Sequence, residues 1–117
     1  MTSETISAPP GSVVWVVTFG QANNALGLIY GCLGIYTTKG DAQARAQDFV
    51  AQRRTVVRDI LAGTEQRAGT IEETYTEKRY EHAAGTREII AATQRGRTVV
   101  ELKVSVKELV VGREDGP

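Results

Sequence analysis

The sequence predicts an α+β fold in which an antiparallel sheet of two β-hairpins packs against one long helix. Residues 38–63 carry the one long pattern that has both helical periodicity and caps. β-branched and apolar stretches lie on both sides of it, and the last of them alternates apolar and polar residues. We expect a single domain over residues 13–111, of order ββα(α)ββ, with disordered tails at 1–12 and 112–117.

The predicted helix has recognisable ends and one apolar face. Thr38 can accept a hydrogen bond from a free backbone N–H, and Asp41 in the first turn suits the positive end of the helix dipole. Gly63 is typical of the position just beyond a helix. Apolar residues recur between these ends at spacings of three and four, which places them on one face. They are Ala42, Ala46, Phe49, Val50, Val56, Val57, Ile60 and Leu61.

Arg53 lies near the centre of that apolar face. Its methylene groups can pack on the core while the guanidinium reaches water at the edge. Alternatively the guanidinium is buried against a carboxylate or a bound anion, because an unpaired buried charge costs too much free energy. We expect a carboxylate partner, from Glu73, Glu88 or Glu101.

Two apolar stretches precede the helix. Residues 13–19 are β-branched and aromatic, and both alternating sets are apolar, which is typical of a central strand buried on both faces. Residues 26–37 form the second predicted strand, and its three glycines can mark a bulge or a close approach. Cys32 lies within this apolar strand, and we expect it to be a small buried hydrophobic residue.

The chain after the helix has one weak and one strong pattern. Thr70 and Glu73 have the spacing of a capping box and strand alternation is poor there, so we expect a short second helix over residues 71–82. Residues 86–93 and 98–111 then form a hairpin around a turn at 94–97, and the last strand has one apolar and one wet face. The predicted core joins helix and sheet through Phe49, Val57, Ile60, Leu102 and Val104.

Composition excludes several classes of partner. Lysine plus arginine and aspartate plus glutamate each number 14, so the formal net charge is zero, whereas nucleic-acid binding needs an excess of basic side chains. No apolar run approaches the roughly 20 residues of a membrane-spanning helix, so we expect no membrane partner. One cysteine cannot form an internal disulfide, and the start of the chain has no signal-like apolar region. We therefore expect a cytoplasmic protein.

The residue types give little support to catalysis. His82 is the single histidine and lies in a polar segment, where an isolated histidine is usually a surface residue. One histidine and one cysteine cannot complete a structural zinc site. The glycines at 27, 31 and 34 lack the spacing of a phosphate-binding loop. We predict no catalytic residues, no metal and no cofactor.

Two functions remain open. The first is a non-catalytic binding module that forms a homodimer through the sheet face opposite the helix, or binds another protein, because one helix covers only one face of so apolar a hairpin. The second is a small enzyme or ligand-binding protein with a pocket between sheet and helix, lined by Trp15, Tyr30, Tyr36 and Arg53. If residues 64–85 folded over the second face instead, we would expect a monomer.

Overall fold

The computed structural model describes residues 10–23, 27–64, 73–82 and 86–112. These residues form five strands and one helix, and the predicted α+β fold with a helix between two sets of strands is confirmed. The predicted tails lie largely outside the described residues. The elements are β1 (Val13–Asn23), β2 (Gly27–Tyr36), α1 (Lys39–Thr64), β3 (Glu73–Glu81), β4 (Arg87–Arg95) and β5 (Thr98–Val110).

The strands form one antiparallel sheet in the order β2-β1-β5-β4-β3. The β1–β2 hairpin supplies one side, the β3–β4–β5 meander supplies the other, and pairing between β1 and β5 joins them. β1 is internal, as its two apolar faces predict, although the middle strand is β5. Just before β1, the N–H of Gly11 donates to the carbonyl of Val111 at 3.2 Å, and the N–H of Val111 donates to the carbonyl of Ser12 at 2.8 Å.

Helix α1 begins where the sequence predicts. The N–H of Asp41 donates to Thr38 Oγ1 at 3.2 Å, which confirms Thr38 as the N-cap. The helix continues through Thr64, one residue past Gly63, and its 26 residues make a rod about 39 Å long at about 1.5 Å per residue. This rod packs on one face of the sheet, against β1, β2, β5 and β4.

The core lies between α1 and the helix-facing side of the sheet. Phe49 packs at its margin, with its ring centroid 4.8 Å from that of Phe19. Val57 and Leu61 form a second, smaller cluster with Val100. The predicted core is thus divided in two, with Val57 in the smaller part. The main cluster comprises Val17, Ala42, Ala46, Val50, Ile89, Ala91, Leu102, Val104 and Val106.

The predicted second helix over residues 71–82 is wrong for the part that the structure describes. Glu73–Glu81 form an edge strand that pairs with β4 along its whole length, and β4 thereby satisfies backbone groups that a helix would satisfy internally. The alternation of this strand is hard to recognise because Tyr75 packs at the margin of the main core while its neighbours on the same face, Glu73 and Glu77, are charged. One face meets arginine side chains of α1, and the other is exposed.

A β-bulge between β1 and β2 decides which residues of β2 face the helix. Val17 lies opposite Gly34 whereas Thr18 lies opposite Cys32, so Leu33 is the additional residue. A bulge of this kind changes the alternation of a strand, and here Leu33 packs against the core. The residues of β2 that the register places on the other side of the sheet are Leu28, Tyr30, Cys32 and Ile35.

Truncation of Phe49 tests the contact between helix and sheet. Phe49→Ala removes a ring that packs on Phe19 and on the core, and we expect it to lower the free energy of unfolding by about 3 kcal/mol. Val56→Ala changes a helix residue that is 39% exposed, and it should cost less than about 0.5 kcal/mol. Urea unfolding measures both values. A loss below about 1 kcal/mol for Phe49→Ala would contradict this packing.

Candidate functional site

Helix α1 leaves an open space beside β3. The alternate residues of β3 that face the helix side include Glu73, Tyr75 and Glu77. The helix reaches them with two long side chains. Arg58 Nε lies 3.2 Å from Glu73 Oε2, and the guanidinium carbon of Arg54 lies 3.8 Å from the centre of the Tyr75 ring. We call the space between α1 and β3 the helix–β3 cleft.

A chain of polar contacts forms the β3 side of this cleft. The guanidinium of Arg54 stacks on Tyr75 in a cation–π contact. The hydroxyl of Tyr75 donates to Glu77 Oε1 at 2.8 Å. Nε and Nη2 of Arg79 both donate to Glu77 Oε2, at 3.2 and 3.1 Å. The four side chains therefore hold one another in place along the strand.

These contacts shift two pKa values in opposite directions. Burial, followed by the hydrogen bond to Glu77, raises the pKa of Tyr75 to about 12. The same hydrogen bond lowers the pKa of Glu77 below its ordinary value, with a further contribution from Arg79. The pair is therefore a neutral phenol that donates to an ionised carboxylate at neutral pH.

Two adjoining cavities occupy the helix–β3 cleft, and they share Gln47, Arg79 and Ile89 in their linings. The first has a volume of about 210 Å³, and we call it the aliphatic cavity. The second has a volume of about 320 Å³, and we call it the tyrosine cavity because it is bordered by Tyr75 and Glu77. The aliphatic side chains of the first are Ala46, Ile89, Val104 and Val106.

Ion pairs lie on both sides of β4 near the aliphatic cavity. Nη2 of Arg87 pairs with Oε1 of Glu81. On the other side of β4, Glu88 lies 3.1 Å from Lys103 Nζ and 3.9 Å from His82 Nε2. Arg87 Nε is buried and has no hydrogen-bond partner in the part of the chain that the structure describes. The carboxylates near this cavity are therefore each matched by a basic side chain.

The structure separates the four residues that the sequence predicts as pocket lining. Trp15 and Tyr36 lie opposite each other on β1 and β2 and pack at the margin of the core. Tyr30 is 76% exposed on the sheet face opposite the helix. Arg53 borders a void of about 10 Å³ beneath the helix. None of the four borders the aliphatic or the tyrosine cavity.

Arg53 has an amide partner rather than the expected carboxylate. Its Nε donates to Oε1 of Gln21 at 2.6 Å, and Gln21 is 3% exposed on β1. An amide oxygen can accept from a guanidinium without burying a second charge. Of the expected partners, Glu73 pairs with Arg58 one turn further along the helix. Arg53 therefore links the helix to β1, on the far side of the core from β3.

The cleft residues were not among the predicted site residues. Tyr75, Glu77 and Arg79 alternate with Thr76 and Lys78, which is the period of one strand face. The helical prediction for residues 71–82 hides this spacing, because residues two apart point in different directions on a helix. The alternation is the signal from which the three side chains could have been placed together.

The sheet face opposite α1, which we call the open face, carries a second candidate surface. Leu28 is 64% exposed, Tyr30 76%, Ile35 45% and Leu109 52%, and we call these four residues the apolar patch. Cys32 is exposed beside them. The prediction of a buried Cys32 is therefore wrong, because this residue pairs with Thr18 on the open face, in the same register as Leu28 and Tyr30.

The described residues offer no metal site and no membrane span. Over residues 10–23, 27–64, 73–82 and 86–112, no three His, Cys, Asp or Glu side chains are grouped to hold a metal ion. Within the same ranges, no helix combines the length and apolar character needed to cross a membrane. His82 is exposed, as the sequence predicts.

Comparisons with protein-family models, with curated proteins and with solved structures find no match for this chain. Function is therefore inferred from the two surfaces described above, the helix–β3 cleft and the apolar patch. They lie on opposite faces of the sheet and near opposite edges of it.

High pH should weaken the contacts along β3. Because the pKa of Tyr75 is about 12 in the folded protein against an ordinary 10.0, folding favours the protonated phenol. That contribution to stability is complete below pH 10.0 and is lost as the pH rises through 12. We expect a phenolate absorbance transition near pH 12 that Tyr75→Phe removes, and a steeper loss of unfolding free energy in the native protein than in this variant. A Tyr75 transition at its ordinary value would contradict the hydrogen bond to Glu77.

Removal of the Arg53 guanidinium should leave the buried amide oxygen of Gln21 without a hydrogen-bond donor. Arg53→Met leaves Oε1 of Gln21 without its donor, and we expect a loss of about 1–3 kcal/mol in denaturant unfolding. Adding Gln21→Leu removes the orphaned group and should restore much of that loss. Arg58→Met, at an exposed ion pair, should cost less than about 1 kcal/mol. A neutral effect of Arg53→Met would show that the bond to Gln21 contributes nothing to stability.

Proposed function

We propose that this protein is a non-catalytic binding module that joins a second copy of itself through the open face of its sheet. The observation that carries this proposal is the apolar patch. Its four large side chains are each close to half exposed or more, and they occupy β2 and the adjoining end of the sheet. Apolar side chains exposed together over several hundred square ångströms are typical of an interaction site.

Basic side chains border the patch on the same face. Lys107 lies opposite Val16 and Lys103 lies opposite Gly20 in the pairing of β1 with β5. Both lysines are exposed. An apolar centre with a polar, solvent-accessible rim is the usual anatomy of a protein–protein interface.

The arrangement of large and small side chains on the open face favours a second copy of this chain as the partner. Gly20 lies opposite Tyr30 in the β1–β2 pair, and a Cβ atom added at Gly20 would meet no atom within 4 Å. The neighbours of Gly20 on the same strand face, Thr18 and Ala22, are also small. A twofold axis can therefore place Tyr30 of each copy over the space at Gly20 of the other, so that both are filled by one arrangement.

Overall charge does not oppose this association. The formal net charge is zero, so two copies meet without long-range repulsion. A standard interface takes about 800 Å² from each partner. The apolar patch, together with the small residues of β1, supplies an area that extends over two neighbouring strands and onto β5.

Other arrangements are less favoured. β2 is an edge strand, so two copies could pair edge to edge, but the apolar side chains of the open face would then stay in water. The second function that the sequence suggests needs Trp15, Tyr30, Tyr36 and Arg53 around one pocket. These residues lie on both faces of the sheet, so their placement gives that function less support.

Sedimentation from micromolar concentration upward tests self-association. The native protein should form a species of twice 12.7 kDa. Tyr30→Lys buries a charge in the proposed interface and Gly20→Val fills the space that receives Tyr30, and each should weaken association at least about tenfold. Gly20→Val should fold, because the space is open and valine suits a strand. Val56→Lys adds the same charge on the exposed side of the helix and should change nothing.

The outcomes separate the alternatives. A clean monomer at every concentration would exclude self-association and assign the patch to a different partner. A dimer that survives both Gly20→Val and Tyr30→Lys would be an edge-to-edge dimer and would contradict the proposed face. Cys32 is the sole cysteine and lies beside the patch, so its reaction with a thiol reagent should slow as the protein concentration rises.

A further inference from the structure

The aliphatic cavity is a site independent of the proposed dimer surface. It lies on the helix-facing side of the sheet near β3, whereas the apolar patch lies on the open face around β2. The helix forms one side of it through Gln43, Ala46 and Gln47. Its aliphatic lining consists of buried residues at the edge of the main core, namely Ala46, Ile89, Val104 and Val106. Its volume of about 210 Å³ is space for a molecule of roughly seven to ten non-hydrogen atoms, at roughly 20–30 Å³ each.

The arginine side chains at the mouth of this cavity are paired with glutamates, so these pairs carry no net charge. Arg79 is bonded through two nitrogens to Glu77, and Arg87 is paired with Glu81. A charged ligand would add a charge to a mouth whose arginines and glutamates already neutralise one another. Gln47 lines the cavity from α1. Its uncharged side-chain amide can donate a hydrogen bond to a ligand or accept one from it.

We propose that the aliphatic cavity binds a compact uncharged molecule, of the size of one or two fused rings, with a single hydrogen-bonding group directed to its mouth. The apolar lining favours a ligand with an apolar ring system. Because the arginines and glutamates at the mouth neutralise one another, a ligand that carries a carboxylate or an ammonium group is disfavoured. The contacts from Arg54 through Tyr75 and Glu77 to Arg79 hold the β3 side of the cleft in place before a ligand arrives. A preformed wall reduces the entropy lost on binding.

Titration of the full chain with indole and with indole-3-acetate tests the chemistry of the site. The two probes share a ring system and differ in a carboxylate. We expect saturable shifts of the backbone amide signals at Gln43, Gln47, Arg79 and Ile89 with a Kd on the order of 1 mM for indole. Indole-3-acetate should bind at least about tenfold more weakly.

A matched pair of variants tests the location. Gln47→Trp places a ring in the mouth that both cavities share, and it should abolish the indole shifts. Gln52→Trp makes the same change at an exposed position on α1 that borders neither cavity, and it should leave indole binding unchanged. Gln43→Phe should weaken binding as a second variant at the mouth. The sedimentation behaviour of Gln47→Trp should match that of the native protein, which separates this site from the proposed interface.

Three results would overturn the proposal. The absence of saturable shifts with indole would mean that the cavity takes no uncharged ring. Equal or tighter binding of indole-3-acetate would mean that the arginines leave their carboxylates and select an anion. Retention of indole binding in Gln47→Trp, with its amide spectrum showing a folded protein, would place the probe elsewhere on the molecule.

Discussion

The helix of this protein is narrower than the sheet that it covers. An α-helix with its side chains is about 10–12 Å across, whereas five strands at about 4.8 Å spacing extend about 19 Å between the outer two. Helix α1 buries its apolar face over β1, β2, β5 and β4, and β3 lies beyond that face. Only long side chains such as Arg54 and Arg58 extend from the described helix to β3. The helix–β3 cleft therefore follows from the difference in width, and the aliphatic residues that line it are buried residues at the edge of the main core.

The two outer strands, β3 and β2, differ in the chemistry of their side chains. On β3 the helix-facing side chains contact one another and two arginines, and Tyr75 also packs at the margin of the main core. On β2 Leu33 packs on the core, and the bulge places Ile35 on the open face, where Tyr30 also lies. Charged edge strands resist pairing with other chains, whereas apolar ones do not. In the functions proposed here, association uses the β2 side of the molecule and the ligand uses the β3 side.

The position of the bulge has the largest consequence for the open face. The additional residue at Leu33 shifts the alternation, so Ile35 joins Leu28 and Tyr30 on the open face while Tyr36 faces the helix. Because the helix already covers the other face, the apolar side chains on this one are left without a partner in the chain that the structure describes. The proposed partner is a second copy, because Tyr30 of one copy could occupy the open space at Gly20 of the other.

The sequence by itself determined the long helix, its cap at Thr38, the alternation of β5 and the order of the main elements. These features depend on residues within one or two turns, or on one strand, so a local pattern reports them. The tertiary structure alone decided that residues 73–81 are a strand, because the edge of β4 supplies their backbone partners. It also decided the partner of Arg53, since Gln21 lies 32 positions away in the chain. The cleft has the same origin, because its walls come from α1 and β3, and no local period records how far one element lies from another.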